Sequence, residues 1–156
     1  MKRAMAPKTI TTLLSGMFVL GIAATAQADN DRRDECSDAT LKGSFGYTVT
    51  GALVTGPFAG PFAAVGRLTF DGRGNFENVR TISRNGGILL NVQGVGTYTV
   101  RPDCMGSFTF SDGGVVTLST DIVIDDNGNE LRMIATSPGT VLTVIGRKQF
   151  PRRDKD

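Results

Sequence analysis

The chain has 156 residues, 40% hydrophobic and 21% charged, with 17 Lys plus Arg against 15 Asp plus Glu. It contains no histidine, no tryptophan and two cysteines, which excludes His-based acid–base or triad chemistry, His-ligated metals and Cys-rich zinc sites. Lys2, Arg3 and Lys8 belong to a predicted export leader, and without them 17 − 3 = 14 basic groups face 15 acidic ones, a net of −1 that argues against nucleic-acid binding.

That leader is Met1–Ala28: a basic start, an apolar run over residues 10–23, and a small-x-small cleavage site at Ala26-Gln27-Ala28. The apolar run is too short for a membrane anchor, since a helix of that length rises only about 21 Å against the roughly 30 Å of a bilayer core. The expected mature chain has 156 − 28 = 128 residues, one domain's worth, placed in the periplasm or the medium. There Cys36 and Cys104 are the available pair, so a disulfide is expected. It would close a loop of roughly 70 residues, contributing on the order of 4 kcal/mol. It would tie the polar lead-in, residues 29–42, to the turn Arg101-Pro102-Asp103-Cys104-Met105-Gly106.

From residue 43 onward, short runs rich in Val, Ile, Thr, Phe and Tyr alternate with Asn-Gly, Asp-Gly and Pro-containing turns. Eight strands are predicted, at 43–54, 62–70, 75–83, 88–100, 106–111, 115–124, 130–136 and 140–149. In the first, Phe45, Tyr47 and Val49 oppose Ser44, Thr48 and Thr50. A tandem repeat follows, Gly56-Pro57-Phe58-Ala59-Gly60-Pro61-Phe62-Ala63. Its Phe58 and Phe62 are read either as a flap that touches a lipophilic ligand or as a plain cover for the core.

The third strand is ambiguous. Phe76 and Ile82 join the apolar face only if Gly86-Gly87 forms a bulge, whereas a two-residue turn register sets Glu77 against Ile88, Leu90 and Val92. In the fourth strand Ile88, Leu90, Val92, Tyr98 and Val100 share a face, and Gly94 and Gly96 permit the sharp coil that closure needs. The turn at Asn127-Gly128 pairs Ile124 with Leu131 and Ile122 with Met133, which collects Leu118, Ile122, Ile124, Leu131, Met133 and Ala135 on one side. Asp121, Glu130, Arg132 and Ile134 fall on the other, with Asp121 and Arg132 as a diagonal ion pair. The acidic stretch Asp125–Glu130 lacks the flanking helices of a calcium-binding EF-hand.

Successive short turns imply a meander. Eight up-and-down strands closed into a barrel lose both exposed edges, although a sandwich of the same strands is the alternative. The apolar faces then line a lumen. An outer-membrane barrel would invert this pattern, and the scarcity of aromatic girdle residues, with Glu77, Asn78 and Arg80 in one strand, argues against membrane insertion of the mature chain. Tyr47 and Tyr98 are candidate ligand contacts, because a buried phenol needs a hydrogen-bond partner. Glu77, Asp121 and Glu130 are weighed as acid–base groups; Asp121 and Glu130 fall on the wet face, and Glu77 faces the apolar side only in the two-residue-turn register. No metal and no cofactor are expected.

Gly43-Ser44-Phe45, at the start of the first strand, and Arg147, on the last, resemble the Gly-x-Trp motif and partner arginine of the lipocalins, with phenylalanine in place of tryptophan. In architecture the chain resembles calycins and allene-oxide-cyclase-like barrels. Its turn Phe70-Asp71-Gly72-Arg73-Gly74-Asn75 and the stretch Thr136-Ser137-Pro138-Gly139-Thr140-Val141 resemble a group of uncharacterised secreted bacterial proteins. Turn spacing and alternation together predict an all-β, eight-stranded antiparallel up-and-down barrel over residues 43–150 with a charged tail at 151–156. Its expected role is holding a small lipophilic ligand through Tyr47, Phe58, Phe62, Glu77 and Tyr98. A lipophilic-substrate cyclase or isomerase and a filled interaction module are the alternatives.

Overall fold

The computed structural model describes residues 35–112 and 115–150, without the side chains of 112, 115 and 116. The predicted leader Met1–Ala28 and the tail at 151–156 lie outside the described residues. The strands are β1 (Gly43–Leu53), β2 (Gly60–Phe70), β3 (Asn75–Arg84), β4 (Gly87–Val100), β5 (Met105–Asp112), β6 (Val115–Asp125), β7 (Glu130–Ala135) and β8 (Thr140–Lys148). Each pairs antiparallel with its predecessor, and β1 pairs with β8 from Phe45↔Lys148 to Leu53↔Thr140. The result is a closed barrel rather than two stacked sheets.

Alternation sends the apolar side chains inward as the pattern demands. Phe45, Tyr47, Val49, Ile122, Ile124, Leu131 and Met133 are all buried, and Ile124↔Leu131 and Ile122↔Met133 are paired. Asn127 and Gly128, with φ of 52° and 82°, form the left-handed turn that sets this register, closed by Asn129 N–H donating to the Asp126 carbonyl at 2.9 Å. Arg132 forms its ion pair along the opposite diagonal from the one expected, with Asp125 rather than Asp121.

The expectation for β4 fails at one residue. Arg84 pairs with Gly87 through a two-residue turn, so Gly86-Gly87 carries no bulge, and Ile82 pairs with Leu89. The register then slips between Arg80 and Ile82, where Asn91 takes a φ of 53°. An asparagine tolerates that left-handed conformation, and the extra residue reverses the alternation on its far side. Ile88 and Leu90 therefore face outward and are exposed, while Phe76 and Ile82 are buried. Glu77 faces solvent: although the turn has the two-residue register, the slip beyond it removes Glu77 from the face of Ile88 and Leu90.

One end of the barrel is closed by the chain's own N-terminal segment. Cys36 is disulfide-bonded to Cys104, and Cys36 N–H donates to the Pro102 carbonyl at 3.3 Å. A single turn of 3-10 helix, Asp38–Leu41, then places Leu41 in the core with no exposure. Asp38 anchors this turn, its carboxylate accepting from Val100 N–H at 2.7 Å and its carbonyl from Tyr98 Oη at 2.9 Å. Arg147 points outward to Glu130 at 2.9 Å, and Lys148 Nζ lies 5.4 Å from the centre of the Phe45 ring.

Candidate functional site

The two halves of the lumen are filled differently. At the closed end, Phe45, Phe70, Phe76, Tyr98, Phe108 and Phe110 pack edge-to-face or tilted, with ring centres 4.9–5.8 Å apart. Gly96 lies between Phe76 and Phe110 in the sheet, and a side chain there would overlap the Phe76 ring and the Thr109 carbonyl. Its missing side chain makes room for rings, a packing reason beyond the backbone coiling expected of it.

At the other end, where the β1–β2 loop and the β3–β4 turn lie, the inward side chains are smaller and a cavity of about 220 Å³ remains. Val49, Ala64, Ile82, Leu142 and Val144 make an apolar wall, with Phe62 and Phe110 adding aromatic surface. The polar side chains on the cavity are Tyr47, Arg80, Arg84, Thr117 and Thr140, and no acidic side chain lines it among the described residues.

Tyr47 and Arg80 meet by virtue of a glycine. Both are paired with Gly66 on the strand between them, so phenol and guanidinium lie side by side across β2. Tyr47 Oη donates to Asn78 Oδ1 at 2.8 Å. Asn78 is only 2% exposed, and its Nδ2 is buried without a hydrogen-bond partner. Burial pushes the Tyr47 phenol above its ordinary pKa, against the lowering pull of Arg80 and the bond to Asn78, so at neutral pH it is a neutral donor.

Of the predicted site residues, the structure brings Tyr47 and Phe62 to the cavity. Phe58 does not line it; the residue is 56% exposed on the β1–β2 loop, with the Arg84 guanidinium 3.9 Å from the centre of its ring. Tyr98 faces inward as expected but belongs to the closed end, where it is buried against Phe70 and Phe108 and bonded to Asp38. Glu77 borders a separate depression of about 370 Å³, shared with Asn78, Gln93, Gly94 and Ser111. Tyr47, Glu77 and Tyr98 thus do not line one common cavity.

Arg80, Arg84 and Asn78 were missed by sequence reasoning. The signal was present in β3, where Phe76, Asn78, Arg80 and Ile82 fall on one face by simple alternation. Two polar residues between apolar neighbours on an inward face mark a lined cavity rather than a dry core.

Among solved structures, the chain is similar to a redesigned β-barrel, mFAP1, bound to DFHBI, at 17% sequence identity and a TM-score of 0.45, over 71% of this chain and 97% of that one. No protein-family model matches the sequence, and no curated protein matches it.

Proposed function

We propose that this chain is an exported barrel that holds one compact, largely apolar molecule in the open half of its lumen, without transforming it. The observation that carries this reading is the cavity of about 220 Å³ in a barrel whose other half is solidly packed. Its volume lies below the roughly 300 Å³ of drug-sized sites and above the ~150 Å³ that accommodates benzene. The fitting guest is a fused bicyclic or a short alkyl chain. Export is supported by the leader-like N-terminus and by the Cys36–Cys104 disulfide, which favours an oxidising compartment.

The test uses naphthalene as the probe in a fluorescence titration, with native mass spectrometry of protein isolated from its own host alongside. Saturable one-to-one binding that Ala64→Phe abolishes, while the thermal transition stays cooperative, is the expected result. Absence of naphthalene binding together with absence of any co-purifying small molecule would overturn the reading.

A further inference from the structure

We propose that two copies of this chain join edge to edge through β4, forming a two-fold dimer whatever the lumen holds. Strand β4 is the longest of the eight, and its neighbours cover it unequally. On one side β3 pairs with it from Asn75↔Thr97 to Arg84↔Gly87. On the other, β5 reaches only from Val100↔Gly106 to Val95↔Ser111. Residues 87–94 therefore have β3 on one side and, among the described residues, no strand on the other.

An unpaired edge presents backbone N–H and C=O groups at the spacing that another strand needs. Soluble proteins blunt such edges with charges, prolines or bulges. Strand β4 contains no charged residue and no proline. Its bulge, at Asn91, leaves Gly87, Ile88 and Leu89 regularly paired with Arg84, Ser83 and Ile82.

The side chains along this edge are apolar and exposed. Ile88 and Leu90 face outward, Leu90 at 71% exposure, and Leu89 between them is also exposed. Val79 and Val95 are exposed farther along the same wall. Three aliphatic groups in a row are unfavourably hydrated, and a partner that covers them removes that cost.

The occupant that fits is a second copy. Antiparallel strands related by a two-fold axis are self-complementary, so the same edge supplies both halves of the new ladder. The two outer patches then abut, and the free edge of each copy is used up, which closes the assembly at two. Because β4 carries no charge, no like-charge pair faces itself across that axis.

Sedimentation velocity of the disulfide-intact protein, run from the micromolar into the millimolar range, tests this together with hydrogen–deuterium exchange. A monomer–dimer equilibrium is expected, with amide exchange over residues 87–94 slowing as concentration rises. Leu90→Lys should weaken the dimer at least roughly tenfold, since each dimer then loses two buried leucines. Ile145→Lys, at an exposed apolar position on β8, should leave it unchanged. A protein that stays monomeric throughout overturns the proposal; if phosphatidylglycerol vesicles then slow exchange over 87–94, the patch belongs to a membrane instead. A dimer that survives Leu90→Lys, that Ile145→Lys weakens equally, or whose residues 87–94 exchange as fast as in the monomer overturns the assignment to this edge. Oligomers growing beyond two overturn the two-fold closure.

Discussion

Gly96 and Gly66 occupy comparable places at the two ends of the lumen, each a glycine flanked in the sheet by two large inward residues. Across Gly96, Phe76 and Phe110 meet with ring centres 4.9 Å apart, and further rings fill the surrounding space. Across Gly66, Tyr47 meets Arg80, and the adjoining inward layer is Val49, Ala64 and Ile82. The same strand geometry thus yields a solid interior or a hollow one, depending on how much side-chain volume each inward layer carries. What distinguishes the hollow end is small aliphatic residues beside cationic ones, a combination that lowers packing density and brings charge into the interior.

Several variants would break or sharpen this contrast. The largest loss should come from Phe108→Ala, which removes a fully buried ring in contact with Phe70, Phe76 and Tyr98. Chemical denaturation should register a drop of about 5 kcal/mol, at the upper end for such truncations, because the packed end has little freedom to collapse. Replacing Cys36 and Cys104 together by serine frees a loop spanning a sequence separation of 68. That should lower stability by about 4 kcal/mol in the same assay. Gly96→Ala forces a methyl into the Phe76 ring and the Thr109 carbonyl and should cost about 3 kcal/mol, visible as a lowered thermal midpoint.

At the hollow end the outcome should be opposite. Ala64→Leu places extra volume into existing space, so stability should change by less than about 1 kcal/mol, while naphthalene affinity should fall at least roughly tenfold by exclusion. A loss of stability comparable with Gly96→Ala would show that the mouth layers are as tightly packed as the closed end.

The subtlest check is alkaline titration. Tyr47 and Tyr98 are the two tyrosines of the chain, one from each end. Burial is the main cause that raises both above the ordinary phenol value of 10.0. A raised folded-state pKa means that this share of stability is complete below pH 10 and declines as pH climbs from there through the folded values. Phenolate absorbance should therefore lag behind that of the denatured chain. A folded-state curve superimposed on the denatured one would contradict the burial of both side chains.

Much of the architecture was legible from residue order. Asn-Gly and Asp-Gly turns set neighbour pairing, and alternation in β1, β6 and β7 identified the inward residues because the β1–β2, β1–β8 and β6–β7 pairings run unbroken. The disulfide followed from there being two cysteines and an export-like N-terminus. The site was harder to read, for a local reason. Asn91 inserts an extra residue into β4, and nothing in a composition or turn pattern separates a bulging asparagine from one sitting on a polar face. That single slip misdirected Ile88, Leu90 and Glu77, and it hid the inward direction of Asn78 and Arg80. Tyr98 lies at the closed end for a different reason, since alternation gives the side of a strand and says nothing of height along the barrel axis, and Phe58 sits on the β1–β2 loop, where alternation does not apply.

The plug formed by residues 36–41 has a consequence for how such a barrel diversifies. Because one extremity is sealed by covalent and aromatic anchoring, substitutions at the opposite opening are shielded from global collapse. Positions such as 62, 64, 80 and 142 can then drift in size and charge while the scaffold persists.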